Sequence, residues 1–160
     1  MAGLIKLTQG KQAIVDDNDF EWLSQWKWQY NLHGYAVRSE GDWRKKSRKT
    51  IFMHREIVKT PVGLQTDHIN RDKLDNRKVN LRVCTRSQNF QNRLLKNNKS
   101  GLKGVYFRSK GNWKRWAAEI GFNNKNYFLG YFKNKVDAAR EYNKKAQEFY
   151  GKFALINQWV

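Results

Sequence analysis

Hydrophobic positions over the first 58 residues fall in short alternating runs rather than long periodic ones. Ile5 and Leu7, and then Ala13-Ile14-Val15, have strand character, with Gly10-Lys11 as the turn between them. Asp16-Asp17-Asn18-Asp19 supplies cap residues and first-turn acids for a short helix through Leu23. Trp26, Trp28 and Tyr30 alternate, as do Tyr35 and Val37 beyond a His33-Gly34 turn, which predicts a hairpin. The basic run Arg44 to Lys49 predicts a loop. A strand through Ile51-Phe52-Met53 follows it and carries on into His54.

From Met53 to Leu95 the rhythm changes. A turn at Thr60-Pro61-Val62-Gly63 leads into Leu64-Gln65-Thr66-Asp67-His68. The polar stretch from Asn70 to Asn80 has no apolar period and predicts a loop, and Leu81-Arg82-Val83 predicts a short strand. Thr85 followed by Gln88 is a capping box, which starts a helix at Arg86. Phe90 and Leu94 give that helix a packing face at i, i+4.

Beyond a polar, basic linker, the C-terminal part predicts three strands and a helix. Val105 to Arg108, Trp116 to Ile120 and Tyr127 to Phe132 are the strands. Val136, Ala139, Tyr142 or Asn143, Ala146 and Phe149 are spaced for one face of an amphipathic helix that Gly151 ends. The expected fold class is α+β. It comprises a strand-rich N-terminal region (1–52), a strand–loop–strand–helix centre (53–95), a basic linker (96–103) and a three-stranded antiparallel sheet packed on one helix (104–160). No internal repeat or low-complexity tract interrupts this order.

Charge narrows the partner. The chain has 160 residues, 32 of them Lys or Arg and 14 acidic, for a net charge of +18. Basic residues outnumber acids 9 to 6 over residues 1–50, 11 to 4 over 51–100 and 12 to 4 over 101–160. Such a chain is drawn to polyanions, and nucleic acid leads. No apolar run approaches a membrane span and the start has no signal-peptide core, so an intracellular, cytoplasmic protein is expected. The single cysteine, Cys84, excludes an intrachain disulfide framework, and with 3 histidines a structural zinc site is not expected. With 7 Trp, 7 Tyr and 9 Phe, the chain has too many aromatic residues for a disordered basic tail.

Asp67-His68 places a hard metal ligand beside a base that titrates near neutrality. Asn80 follows His68 within Asn80-Leu81-Arg82, and Asn89 stands on the capped helix with Asn92 after it. Met53-His54-Arg55, Asp67-His68-Ile69-Asn70-Arg71, Asp75-Asn76-Arg77, Asn80-Leu81-Arg82, Thr85 and Ser87-Gln88-Asn89-Phe90-Gln91-Asn92 together closely resemble the HNH (ββα-metal) nucleases of homing endonucleases. The resemblance implies that His68 is the general base and that Asp67 and Asn89 hold one divalent cation. It implies that Asn80 orients the loop and the imidazole. A carboxylate and an amide oxygen suit Mg²⁺ or Mn²⁺, one per active site, better than Zn²⁺. Cleavage leaving 5′-phosphate and 3′-hydroxyl is implied as well.

His54 reads equally as a packed histidine or a phosphate contact, and Asn92 is a further candidate at the site. Arg55, Arg71, Arg77, Arg82 and Arg93 read as phosphate grips or as solvated charges. Asp72 and Asp75 read as turn formers. The N-terminal tryptophans Trp22, Trp26 and Trp28 read as core, and Trp43 among Arg44, Lys45 and Lys46 as core or a base-stacking clamp.

Gly104-Val105-Tyr106-Phe107-Arg108, Trp116-Ala117-Ala118-Glu119-Ile120, Phe128-Leu129-Gly130-Tyr131-Phe132 and Asp137-Ala138-Ala139-Arg140-Glu141-Tyr142-Asn143 resemble the APETALA-type (ethylene-response-factor-like) DNA-binding domain. That family lays a three-stranded sheet in the major groove with a helix behind it. Arg108, Lys110, Lys114, Arg115 and Trp116 would then face DNA. Tyr106 and Gly121 stand where plant members carry base-reading arginines, so the target sequence stays open.

The expected function is a metal-dependent endonuclease acting on double-stranded DNA. A phage or mobile-element setting, a phage-infected host cell and no obligate protein partner are expected with it. A DNA-binding regulator with an inactive nuclease motif is the alternative, and an RNA-binding protein is the other. The presence of Asp67, His68 and Asn89 together argues against the first.

Overall fold

A computed structural model describes residues 2–42, 44, 47–94, 98–110 and 113–158, with the side chains of Trp113 and Lys114 left out. Trp43, Lys45, Lys46 and Leu95, named above, lie outside the described residues. The fold is α+β, as the hydrophobic pattern predicts. It divides into two compact units, Met1–Asn89 and Phe90–Val160. Among the described residues no helix is long and apolar enough to cross a membrane.

In the first unit β1 (Ala2–Lys6) and β2 (Gln12–Asp16) form an antiparallel pair, followed by α1 (Asp17–Leu23). A three-stranded antiparallel sheet follows, from β3 (Gln29–Tyr30), β4 (Ala36–Glu40) and β5 (Lys49–Phe52). Asn31 closes its first hairpin by accepting the backbone N–H of Tyr35 at 2.9 Å. Ile5, Leu7, Ala13, Val15, Leu23, Trp28 and Ala36 share one core with Met53, Ile57 and Leu81. The two segments that the sequence texture separates at residue 53 therefore bury their apolar positions together. Trp28 enters this core with its indole N–H satisfied by Leu23 O at 2.8 Å.

Two expectations are corrected here. The strand through Ile51 stops at Phe52, and Met53 and His54 open α2 (Met53–Ile57) instead. Pairing with β4 ends at Phe52 opposite Val37. Beyond that point Met53 and Ile57, at i, i+4, both turn into the core. The next hairpin, β6 (Gln65–His68) with β7 (Leu81–Cys84), leads to α3 (Arg86–Gln91). The capping box forms as expected, with Gln88 N donating to Thr85 Oγ1 and Thr85 N to Gln88 Oε1. The expected Phe90–Leu94 packing face does not form: the helix ends before Leu94, and the two side chains are 52% and 41% exposed.

The second unit is an antiparallel sheet of β8 (Val105–Lys110), β9 (Trp113–Phe122) and β10 (Lys125–Phe132), with β9 central. One face packs against α4 (Lys135–Tyr150) through Val105, Ala118, Ala138 and Ala139, and through Ile120, Tyr142 and Ala146. The small helix residues let the backbone of α4 come close to the sheet. Asn134 caps the helix by accepting from Asp137 N at 2.8 Å, and Gly151, with φ of 51°, ends it.

Gly104 shows how tight this packing is. It has φ of 70°, and a Cβ there would overlap the Tyr142 ring and the Glu119 carbonyl. Gly104→Ala should therefore cost about 2–4 kcal/mol from overpacking and left-handed strain combined. Thermal unfolding of the full chain would show this as a drop of roughly 10 °C or more in the transition that melts α4. An unchanged transition would contradict the close approach of Gly104 to Tyr142.

Candidate active site

The loop between β6 and β7 is polar, so hydrogen bonds hold it. Asn80, 6% exposed, uses both ends of its amide: Oδ1 accepts Asn70 N at 2.9 Å and Nδ2 donates to Asp75 O at 2.7 Å. Asp75 is buried beneath it. Its carboxylate accepts Arg77 Nε and Nη2 at 2.7 Å each and Asn70 Nδ2 at 2.9 Å. Those donors, Arg77 foremost, hold the Asp75 carboxyl below its ordinary pKa although burial opposes them. Asp72 closes an Asx turn onto Leu74 N at 2.9 Å. The backbone of Ile14 in β2 clamps the loop from outside, donating to Leu74 O and accepting from Asn76 N.

His68 ends β6 and is buried. Its Nε2 lies 3.2 Å from Asn76 Oδ1, and Asn76 is fully buried. Asn76 Nδ2 donates to Leu74 O, which turns its oxygen toward the ring. A carbonyl oxygen only accepts, so this network assigns the ring proton to Nε2 and the lone pair of the neutral imidazole to Nδ1. Burial lowers the pKa of His68, against the raising effects of Asn76 and of Asp67, Asp72 and Asp75. The resemblance gives Asn80 both the loop and the imidazole. In the structure Asn80 grips the loop and Asn76 reaches the ring.

Asp67 and Gln65 lie two residues apart on β6 and so share a face of the hairpin. Arg82, opposite Asp67 in the register, donates from Nε and Nη2 to Asp67 Oδ2 at 2.8 and 2.6 Å. The pair is buried, with side-chain exposures of 13% and 7%. Asn89 Nδ2 donates to Gln65 Oε1 at 2.8 Å, which ties α3 to the same strand and directs the amide oxygen elsewhere. Among the described residues no three His, Cys, Asp or Glu side chains gather as a metal cluster. A carboxylate with one amide oxygen is nevertheless a fitting partial set for a hard cation, which keeps waters and takes substrate oxygens.

The other residues named from the sequence divide by what they touch. Arg71, Arg93, Arg108, Lys110 and Arg115 are exposed. Arg77 and Arg82, expected to contact DNA, each also hold a carboxylate within the fold, Asp75 and Asp67. Trp116, also expected to face DNA, pairs with Phe107 on the helix-facing side of the sheet and packs, partly buried, against the Val105–Ala118 cluster. Arg108 and Arg115 pair with one another on the opposite, open face. Asn92 falls in the second unit and is buried.

His54 is the residue whose place was least legible. It is buried against the rings of Tyr35, Phe52 and His68. Its Nδ1 has no hydrogen-bond partner among the described residues. Asn76, Gln65 and Tyr35 had no assigned role in the sequence reading. Their only signal was position: Asn76 inside the polar loop string, Gln65 two before Asp67, and Tyr35 just past the turn.

Burial, then His68 and Arg55, lowers the pKa of His54 from 6.5 to about 3. The unfolded chain therefore takes up a proton between pH 6.5 and about 3 that the folded chain excludes. Stability from this group is full above pH 6.5 and falls as pH drops toward 3. The unfolding midpoint of the wild type should decline more steeply between pH 7 and 4 than that of His54→Phe, and equal slopes would contradict this burial. A family model described as HNH endonuclease matches residues 59–91, the stretch that carries the hairpin, its loop and all of α3. An uncharacterized HNH endonuclease of Acanthamoeba polyphaga mimivirus is 30% identical over 152 residues, which cover 94% of this chain and 76% of that protein. No solved structure gives a significant match. With the relative aligned along nearly the whole chain and the family match lying on the hairpin of Asp67 and His68, the protein belongs to the HNH endonucleases and is a DNA endonuclease.

Proposed function

We propose that the protein hydrolyses phosphodiester bonds of double-stranded DNA with His68 as general base and one Mg²⁺ or Mn²⁺ held by Asp67 and Asn89. The observation that carries this reading is the buried bond from His68 Nε2 to Asn76 Oδ1. It keeps the ring proton on the far nitrogen, so Nδ1 is the atom that takes a proton from the attacking water. As the ring becomes cationic, Asn76 Oδ1 accepts a stronger hydrogen bond and Asp75, one residue away, adds negative charge nearby. Arg82 fixes the Asp67 carboxylate through Oδ2, and Gln65 sets the amide plane of Asn89. The cation, when bound, supplies charge stabilisation for the phosphorane and the departing 3′ oxygen.

The C-terminal unit is proposed to be an APETALA-type DNA-binding domain that presents the open face of its sheet. Arg108 and Arg115 pair across β8 and β9 on that face, with Lys110 at the next position of the same alternation. The Arg108 guanidinium also lies 4.8 Å over the Tyr106 ring, a cation–π contact that restrains it. Arg71 and Arg93 are further candidates for phosphate contact. A homing-type role on a phage or mobile element belongs to the same reading, and the viral source of the relative is in keeping with it.

Supercoiled plasmid carrying the cognate site should be nicked or linearised with Mg²⁺ or Mn²⁺ and left intact with EDTA. His68→Ala should lose roughly 10²- to 10⁴-fold in rate while still binding DNA. Wild-type rates in that variant would remove His68 as the base, and cation-independent cutting would remove the metal. Binding without any cutting of the cognate site would favour the DNA-binding regulator.

Binding tests the second unit separately. If some eight phosphates are neutralised, log K should fall against log salt with a slope near ~−7. Arg108→Ala with Arg115→Ala should weaken binding and flatten that slope by about 2. A wild-type slope shallower than about −3 would contradict an extended footprint.

A further inference from the structure

Four rings meet at the catalytic histidine, and three of them come from outside the stretch that the family model matches. Tyr35 precedes β4, Phe52 ends β5 and His54 lies in α2, all before residue 59. The His54 ring centroid is 5.0 Å from that of His68, with the planes at 71°. Tyr35 is 6.0 Å from His68 and 5.1 Å from His54. Phe52 braces both neighbours, at 5.5 Å from His54 and 5.8 Å from Tyr35. An edge-to-face contact favours one angle between two rings, because the positive edge of one meets the negative face of the other.

These contacts add to the Asn76 bond. That bond holds Nε2, and the packing of the neighbouring rings restrains the tilt of the imidazole plane, which sets where Nδ1 points, the nitrogen on which the proton transfer depends. His54 itself packs against three rings, and its Nδ1 has no hydrogen-bond partner among the described residues. Tyr35 is fixed in turn at its backbone by Asn31 and by Lys73, whose Nζ lies 4.7 Å over its ring.

We propose that His54 is a positioning residue of the nuclease, setting with Tyr35 the plane of the His68 imidazole, so that the strand-rich N-terminal segment forms one wall of the catalytic site. The proposal rests on the reading of His68 as base and extends it to a segment whose role the sequence did not disclose. His54 offers His68 a ring edge and face rather than a charge. An aromatic residue of similar shape can therefore stand in for it, and a small one cannot.

The test is single-turnover cleavage of end-labelled cognate DNA at saturating enzyme, with DNA affinity measured separately in EDTA. His54→Ala should slow cleavage roughly 10- to 100-fold, the scale expected when a reacting group is displaced by about 1 Å. Its DNA affinity should stay within about twofold of wild type, and His54→Phe should restore the rate to within about fivefold. Because His54 acts through His68, adding His54→Ala to His68→Ala should slow the residual cleavage no further. A His54→Ala rate within twofold of wild type would overturn the proposal, as would a full further loss in the His68→Ala background. Wild-type cleavage by His68→Ala alone would overturn the base reading instead, so the two failures are told apart. Should His54→Ala fail to fold by its melting curve, His54→Leu carries the same test.

Discussion

Asn80 grips the loop between β6 and β7 with both ends of its amide, and the position of His68 depends on that grip. The loop has almost no apolar side chains to bury, so its shape comes from buried polar groups that satisfy one another. Asn80 joins Asn70 to Asp75, Asp75 joins Asn70 to Arg77, and Asn76 joins the loop to the imidazole. Each buried group left without its partner would cost about 1–3 kcal/mol, which makes the alternatives to this one arrangement expensive. Hydrogen bonding is here the determinant of shape, where elsewhere in the unit it is apolar burial.

The same economy governs charge. The chain carries a large positive excess, yet two arginines nearest the site are spent on carboxylates. Arg77 satisfies Asp75 and Arg82 satisfies Asp67, each at close range and partly out of solvent. Ion pairs so shielded define geometry more than they add to stability. The exposed basic residues, spread over both units, carry the remaining positive field.

Much of the fold was legible because it follows from periodicity and punctuation. Alternation gave β1, β2 and the C-terminal strands, the capping box gave the start of α3, and the i, i+4 pattern with Gly151 gave α4. At the candidate site, what was legible was the grouping of Asp67, His68 and Asn89 on one hairpin and the helix that follows it. Three things were not. Hydropathy cannot separate a solvated asparagine from a buried one, so Asn76 looked like any other residue of a polar loop. An arginine facing DNA and one facing a carboxylate across a strand pair look alike until the register is known, as Arg82 shows. His54 followed an apolar run that reads as strand, and only the end of pairing at Phe52 turns it into α2 beside His68.

The shared core of the first unit bears on how such a nuclease can be taken apart and recombined. Residues before 53 supply most of that core, and the backbone of Ile14 is stitched to the loop that carries Asn76. A crossover near residue 53 would divide one folding unit between two parents, leaving each half with unmatched apolar surface. A crossover just past α3, which ends at Gln91, lies close to the boundary between the compact units and leaves the hairpin and its helix together. Chimeras, natural or built, are therefore viable on one side of the cleavage motif and costly on the other.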